Sequence, residues 1–283
     1  MAALCDLLPL RAAEALGAVI GGLGYALGIR RDVVVDQLSR AFPERSDEWV
    51  RDTARASFKH LGRETIAMLR MRHLTREEMV SIAGETNGSQ VEHLRENIDA
   101  GRGAVIATAH FGNWEVAGGS LAARGVPLDV VVVKQANRLF NAEIVRTRER
   151  LGMRVIYKRD APRRALAALR EGRAVAFVSD QDARQAGVFV PFFGRPASTP
   201  RGPALMAVRT GAPLYVGYAK RLGPGRYIGA IEHVDVPRNG DVDDVVEKLT
   251  AAFTAKLEEL IRENPEQYLW QHRRWKTAPP TGN

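Results

Sequence analysis

The chain has 283 residues, a length that allows one large domain or two small ones. Hydrophobic residues make up 45% of it, enough for a substantial core, and 41 Lys and Arg against 33 Asp and Glu give a formal net charge of +8. Because Cys5 is the single cysteine, an intrachain disulfide is excluded, and no CxxC or clustered Cys and His residues indicate a zinc site.

The excess of positive charge favours anionic partners, such as nucleic acids, lipid headgroups or phosphorylated substrates, although a generic basic surface is the alternative. The sequence has no recognition-helix pattern and no basic stripe with interleaved aromatic residues. We therefore expect no nucleic-acid partner.

The N-terminal stretch, residues 7–29, is rich in Ala, Gly and Leu and is followed by Arg30 and Arg31. It is too polar and too rich in glycine for a transmembrane helix, and it lacks the cleavage site of a signal peptide. We expect residues 1–31 to form an amphipathic helix or hairpin that lies on a membrane, with the arginines at headgroup level. An ordinary core helix is the alternative.

Residues 32–80 have a helical pattern and are interpreted as a lead-in packed on the rest of the chain. Val34, Leu38 and Phe42 recur at four-residue spacing, and Pro43 ends that helix. Ser46 begins a second helix, and the segment Thr75-Arg-Glu-Glu is typical of a helix cap with acidic residues in the first turn.

From residue 80 to 276 short apolar runs alternate with helical segments. The runs at 104–109, 128–133, 153–157, 174–179 and 213–219 have the length and branching of buried strands. The alternation predicts an α/β fold in which a mostly parallel central sheet is flanked by helices on both faces. We interpret residues 32–283 as a single domain whose catalytic core spans residues 80–276.

Polar side chains follow several of these runs, namely His110, Lys134, Asp180 and Asp182. Because the carboxyl ends of parallel strands share one sheet edge, where ligands of open α/β sheets bind, we expect these groups to converge there.

His110 is the candidate general base, and Glu115 follows it by five residues. A histidine works as a base through one ring nitrogen when a carboxylate accepts from the other and stabilises the imidazolium. The spacing predicts that Glu115 supplies this carboxylate, with backbone N–H groups of the following helix start as donors to an oxyanion. A surface histidine beside a glutamate by chance is the alternative.

No serine or cysteine has the setting of a nucleophile, since Ser179 lacks the glycines of a nucleophile elbow and no G-x-S-x-G occurs. We therefore expect a reaction that forms no covalent enzyme intermediate.

The segment TAHFGNWE at 108–115 resembles the H-x-x-x-x-[DE] motif of the lysophospholipid and glycerolipid acyltransferase superfamily. More narrowly, the chain resembles the bacterial lipid A lauroyl and myristoyl acyltransferases and the phosphatidylinositol mannoside acyltransferases, with which further stretches match: 40–44 (RAFPE), 101–105 (GRGAV), 179–182 (SDQD), 188–194 (VFVPFFG) and 268–276 (YLWQHRRWK).

The resemblance implies transfer of a fatty acyl chain from a thioester, on acyl carrier protein or coenzyme A, to a hydroxyl of a membrane glycolipid. His110 is then the base, Glu115 its orienting acid, Lys134 a basic residue of the second motif, and Asp180 or Asp182 the acid of the third. It also implies a monotopic or peripheral protein on the cytoplasmic face of the bacterial inner membrane, with the acyl thioester as a substrate and no bound cofactor or metal.

Further residues complete the predicted site, with a solvated surface charge, helix capping or ordinary core packing as the alternative for each. Lys134, Arg138 and Arg201 are expected to bind phosphates of the donor or of an anionic glycolipid. The substrate-binding prediction also includes Asn113, Asn137, Asp180 and Asp182, and the predicted acyl channel comprises Phe189, Phe192 and Phe193.

Two other functions remain open at this point. One is a membrane protein that binds anionic lipid without catalysis. The other is a hydrolase that cleaves acyl thioesters with water in place of the lipid hydroxyl.

Overall fold

The computed structural model describes residues 6–85, 88–236 and 239–280, in which the central element is a seven-stranded sheet. The strands lie in the order β1-β9-β8-β2-β5-β3-β4, and every neighbouring pair is parallel except β8 with β9. Their bounds are β1 Ala83–Glu85, β2 Ala104–Thr108, β3 Leu128–Val132, β4 Arg154–Tyr157, β5 Ala174–Val178, β8 Leu214–Gly223 and β9 Arg226–His233. The predicted mostly parallel sheet is confirmed.

Ten helices surround this sheet within the part of the chain that the structure describes. In chain order they are α1 Leu10–Ala26, α2 Arg31–Ala41, α3 Asp47–Arg70, α4 Arg76–Ile82, α5 Gly88–Asp99, α6 Trp114–Ala123, α7 Arg138–Arg150, α8 Ala161–Arg170, α9 Gly202–Thr210 and α10 Val242–Glu263.

Helices cover both sheet faces, as predicted. One apolar cluster joins α4, α5 and α6 to residues such as Ile106 and Leu128. A second cluster joins α2, α8, α9 and α10 to Val105 and Val175. The strand β2 is buried along its whole length because both of its faces are packed, which explains its unbroken apolar sequence.

The helices α2 and α3 follow the sequence pattern closely. The first ends at Ala41, just before Pro43, and the second begins after Ser46, whose side chain accepts a hydrogen bond from the Trp49 N–H. A capping box at Thr75 starts α4, also as predicted.

The helix α1 packs along α3 through glycines. A Cβ on Gly17 would lie 2.5 Å from the Gly62 carbonyl oxygen, so these two backbones touch only because neither residue carries a side chain. The opposite side of α1 exposes large apolar side chains: Val19, Ile20, Leu23 and, just beyond the helix, Leu27.

Among the described residues, no helix by itself has the length and apolar character needed to cross a bilayer. The pair α1 and α2, bent by 90° at the break between them, reaches that length and composition together.

The segment 188–199 forms an antiparallel hairpin beside the sheet, with β6 at Val188–Phe192 and β7 at Arg195–Thr199. Its two turn residues, Phe193 and Gly194, have φ values of 50° and 69°, as a tight hairpin turn with matched twist requires.

Candidate active site

Strand register brings His110 and Asp180 together. The strands β2 and β5 are parallel neighbours in which Thr108 pairs with Val178. His110 and Asp180 each lie two residues beyond that pair, so they come level at the carboxyl edge of the sheet.

The two side chains are in direct contact. His110 Nδ1 lies 2.9 Å from Asp180 Oδ1, and the His110 backbone N–H donates to Asp180 Oδ2 over 3.0 Å. The Asp180 side chain is only 4% exposed, whereas that of His110 is 21% exposed. An ionised Asp180 accepts from Nδ1–H, and this tautomer leaves His110 Nε2 unprotonated and able to act as a base.

Charge and burial act in opposite directions on this pair. Burial disfavours the imidazolium, but the Asp180 carboxylate and its hydrogen bond outweigh burial and raise the pKa of His110 above its ordinary value. Conversely, burial favours a neutral Asp180, but the charge and hydrogen bonds of His110 outweigh it and lower the pKa of that carboxyl. Each partner therefore stabilises the charged form of the other.

The prediction that Glu115 orients His110 is wrong in this structure. Glu115 lies in the first turn of α6, and its carboxylate accepts from Arg148 of α7, over 2.9 Å from Nε and 2.5 Å from Nη2. Its charge still contributes to the raised pKa of His110, after that of Asp180. The five-residue spacing allowed a contact between Glu115 and His110, but the Glu115 side chain turns toward α7 instead.

Arg148 is a site residue that the sequence analysis missed. It lines the same cavity as His110 and Glu115, and its side chain is 14% exposed. The Glu115 carboxylate, opposed by burial, raises the pKa of Arg148, so the guanidinium stays charged beside the cavity.

Asn113 is an N-cap and not a free binding group. Its Oδ1 accepts from the Val116 N–H over 3.0 Å, and its Nδ2 donates to Glu64 Oε2 over 2.8 Å. Both polar ends of this buried side chain are used inside the protein, so the predicted contact of Asn113 with substrate is contradicted.

Glu64 belongs to a buried ionic cluster that comprises Glu14, Glu64, Arg221 and Tyr227. The Arg221 guanidinium donates to Glu14 Oε2 over 2.5 Å and to Glu64 Oε1 over 3.2 Å, and the Tyr227 hydroxyl donates to Glu64 over 2.8 Å. Burial raises the pKa of Glu64, an effect that the Arg221 charge opposes. This cluster connects α1, α3 and the sheet to the cap of α6, and no sequence motif indicated it.

Asp182 has a different role from Asp180. Its backbone N–H donates to His272 Nε2 over 2.9 Å, and its carboxylate accepts from the Thr277 hydroxyl over 2.9 Å. Asp182 lines the cavity, but its carboxylate holds the C-terminal segment in place.

The cavity that His110 lines has a volume of about 960 Å³. This is at the upper end of the range of about 300–1,000 Å³ for small-molecule sites. Its walls are largely apolar, as in Ile106, Trp114, Leu128, Val130, Met153 and Ile231.

The predicted phenylalanine channel is contradicted. Phe192 and Phe193 are 2% and 5% exposed and pack in the core with Phe42 and Trp270, and none of the three phenylalanines lines the cavity. The hairpin turns them toward α10, where the Phe193 N–H donates to Glu258.

The predicted cations fall into two groups. Arg201 lines the cavity and donates to Asp243 over 2.5 Å, whereas Lys134 and Arg138 are exposed at the carboxyl edge and do not line it. Asn137 caps α7, since its Oδ1 accepts from the Phe140 N–H over 3.0 Å. Lys158 is a further lining cation.

Four backbone N–H groups between His110 and the first turn of α6 are engaged inside the protein. The His110 N–H donates to the Asp180 side chain, and the Gly112 N–H donates to the Gln267 carbonyl. The Asn113 N–H donates to the Ala219 carbonyl, and the Val116 N–H donates to the Asn113 side chain.

Across the described residues, no group of three or more His, Cys, Asp and Glu side chains is placed to hold a metal ion.

Comparison with known proteins identifies the family of the chain. The family model described as bacterial lipid A biosynthesis acyltransferase matches residues 1–277. The phosphatidylinositol mannoside acyltransferase of Mycolicibacterium smegmatis is 30% identical over 206 residues, which cover 71% of this chain and 66% of that protein. The lipid A biosynthesis palmitoleoyltransferase and lauroyltransferase of Escherichia coli are 28% and 27% identical, each over 93% of this chain and 85% of the relative.

The chain spans just under two thirds of the length of the mycobacterial relatives that it matches. The family model, in contrast, covers the chain from its first residue almost to its last. The chain therefore belongs to the bacterial lipid A biosynthesis acyltransferase family.

Proposed function

We propose that this protein is an O-acyltransferase that moves a fatty acyl chain from a thioester to a hydroxyl of a membrane glycolipid. The observation that carries the proposal is the His110–Asp180 pair at a large, mostly apolar cavity. The relatives support the acceptor class, since their names specify lipid A and phosphatidylinositol mannoside.

In the proposed reaction, His110 Nε2 takes the proton from the acceptor hydroxyl while Nδ1–H stays bonded to Asp180. The acceptor oxygen forms a bond to the thioester carbonyl carbon, and the carbonyl oxygen gains negative charge. When this intermediate collapses, the carbon–sulfur bond breaks, and the imidazolium returns its proton to the departing thiolate. The products are an ester and a free thiol, and no enzyme side chain is acylated.

The cavity accommodates the acyl chain because its apolar walls exclude water. Donor phosphates, on coenzyme A or on acyl carrier protein, and phosphates of the acceptor contact Arg201 and Lys158 in the wall, with Lys134 and Arg138 at the exposed edge.

The apolar side of α1 is the proposed membrane contact. Val19, Ile20, Leu23, Leu27 and Ile29 are all at least 41% exposed, and basic residues such as Arg30 and Arg31 follow the helix. A helix of this kind lies in the headgroup region of anionic bilayers, which supports placement on the cytoplasmic face of the inner membrane.

The test is acyl transfer by the purified full chain, with palmitoyl coenzyme A and palmitoyl carrier protein as donors and phosphatidylinositol mannoside and a lipid A precursor as acceptors. We expect a product heavier by one acyl chain, and we expect His110→Ala to abolish it without loss of the fold, because the base is gone.

The matched control is His73→Ala, since His73 is 58% exposed and pairs with Asp6 away from the cavity. Transfer by His110→Ala near the wild-type rate contradicts the mechanism. Thioester cleavage without any acylated lipid favours the hydrolase.

A further inference from the structure

Two residues of the cavity wall, Thr108 and Arg201, each have a buried polar side-chain atom, Oγ1 and Nε respectively, without a hydrogen-bond partner among the described residues. The hydroxyl oxygen of Thr108 is buried and makes no hydrogen bond within the part of the chain that the structure describes. Such a group costs free energy, because its bonds to water are lost and nothing replaces them. A methyl-bearing residue of the same shape, valine, would avoid that cost.

Thr108 is the last residue of β2, and His110 lies two residues beyond it and lines the same cavity. Ile106, Thr108 and His110 line the cavity, whereas Ala107 and Ala109 between them do not. This is the alternation of a β-strand, and a rise of about 3.3 Å per residue separates the Thr108 and His110 backbones by about 7 Å. A base and a donor at this separation fit on either side of one carbonyl group.

The positions of these residues along the chain indicate where the carbonyl group of an acyl thioester would lie. His110 is at the carboxyl edge, Thr108 is one step inward, and apolar Ile106, Gly217 and Ile231 line the cavity with them. If an acyl chain lay along these apolar residues with its carbonyl carbon next to His110, its carbonyl oxygen would come near Thr108.

Several other donors around His110 are used within the protein. The N–H groups of His110, Gly112, Asn113 and Val116 donate within the protein, and the Ser179 hydroxyl donates to the Phe177 carbonyl over 3.3 Å. The developing oxyanion of acyl transfer needs a fixed donor, which contributes most when water is excluded.

We propose that Thr108 is a catalytic residue whose hydroxyl donates a hydrogen bond to the carbonyl oxygen of the acyl thioester and to the oxyanion that forms from it. This assignment rests on the proposed acyl transfer. The hydroxyl keeps its proton throughout, and the negative charge leaves the oxygen when the carbon–sulfur bond breaks.

The experiment compares Thr108→Val and Thr108→Ser with wild type in the full chain, with palmitoyl coenzyme A as donor. We expect Thr108→Val to lower kcat by about 10²-fold with little change in KM, because the bond strengthens as charge develops. We expect Thr108→Ser, which keeps the hydroxyl, to retain most activity. The Tm of Thr108→Val should equal or exceed that of wild type, since an unpartnered hydroxyl is removed.

Thr254 provides a matched control. Its hydroxyl is also buried without a partner among the described residues, but it lies on α10 and does not line the cavity. Thr254→Val makes the same chemical change, and we expect it to leave kcat at the wild-type value.

A binding measurement keeps the two proposals separable. Two unreactive analogues of palmitoyl coenzyme A are compared. One is a thioether that carries a ketone in place of the thioester carbonyl, and the other is a thioether that has no carbonyl group at that place. We expect wild type, Thr108→Ser and Thr254→Val to prefer the ketone, and Thr108→Val to lose the preference.

Thr108→Val with a kcat within about twofold of wild type overturns the role of Thr108 and leaves the acyltransferase proposal intact. A wild-type chain that transfers no acyl group overturns the proposed function, and the ketone preference then decides the role of Thr108. A chain that binds neither analogue overturns both.

Discussion

At the scale of single residues, the site depends on how one carboxylate fixes one imidazole. Asp180 accepts from both the backbone N–H and the ring Nδ1 of His110, so it holds the ring in position and in one tautomer. Because Asp180 is buried, it has few alternative partners, and although burial opposes ionisation, the charge and hydrogen bonds of His110 lower the pKa of its carboxyl. In the proposed mechanism, the pair acts as one unit whose protonation sets the activity.

The pH dependence of acyl transfer tests this pair. The reactive His110 is neutral, so activity is present above the raised pKa of His110 and is lost as the pH falls through it. Asp180→Asn removes the charge that raises this pKa. We therefore expect the acidic limb of the kcat profile to move to lower pH, while the plateau falls by about 10²- to 10⁴-fold because the tautomer is no longer fixed.

Asp52→Asn is the control for that change, since Asp52 is 64% exposed and pairs with Arg55 on the surface of α3. An acidic limb that stays at the wild-type pH in Asp180→Asn would show that another group controls the base.

At the scale of elements, the glycine contact between α1 and α3 determines how the N-terminal helix is held. A Cβ on Gly62 would overlap the Gly17 carbonyl oxygen, and a Cβ on Gly21 would overlap that of Phe58. These are backbone atoms, which cannot rotate away as a side chain can. The crossing therefore tolerates no larger residue without separation of the two helices.

We expect Gly62→Ala to lower the free energy of unfolding by about 1–3 kcal/mol, through overpacking at this crossing. Gly22→Ala is the matched control, and we expect it to change the free energy of unfolding in the opposite direction. Its nearest neighbour is the flexible Lys59 side chain at 3.8 Å, so the alanine should add about 0.5–1 kcal/mol of helix stability. Urea unfolding of both variants measures the difference, and equal effects would contradict the close contact.

The elements that could be predicted from sequence are those with a strong local pattern. Buried parallel strands such as β2 and β5 are continuous apolar runs, and α2 and α3 have clear end signals at Pro43 and Ser46. The hairpin β6–β7 was missed because Pro191 and two adjacent phenylalanines obscure the alternation of a strand.

The site could be predicted only in part, because local spacing does not specify which strands are neighbours. His110 and Asp180 were both candidates, but they are 70 residues apart, and their contact follows from the pairing of β2 with β5. Glu115 was five residues from His110 and was therefore preferred, although its carboxylate turns to Arg148. Knowledge of the strand order would have been enough to choose Asp180.

At the scale of the whole molecule, the proposed membrane surface and the cavity belong to one body. Glu14 of α1 accepts from Arg221 of β8 and from the Gly225 N–H in the β8–β9 turn. The strand β8 lies directly beside β2, which leads to His110. Binding of α1 to a bilayer would therefore fix the orientation of the site relative to the lipid.

Vesicle binding tests the membrane surface. Val19 and Leu23 are 57% and 55% exposed on α1, and we expect the double variant Val19→Gln/Leu23→Gln to reduce binding by about tenfold or more, because apolar area is no longer buried in the bilayer. Flotation with vesicles of phosphatidylglycerol and phosphatidylethanolamine measures it. Val242→Gln is the control, since Val242 is 49% exposed at the start of α10, and equal binding by all three proteins would exclude α1 as the contact.

The Arg221 guanidinium pairs with both Glu14 and Glu64, so removal of the N-terminal helix would change its surroundings. Its side chain is 10% exposed, and Glu14 is one of its two carboxylate partners. A version that starts after α1 would leave a cation with one of its two carboxylate partners, and the face of α3 around Gly62 would be open to water. Deletion of the N-terminal residues would therefore weaken the contacts of Arg221 and Glu64 that hold Asn113 and the turn containing His110 in position.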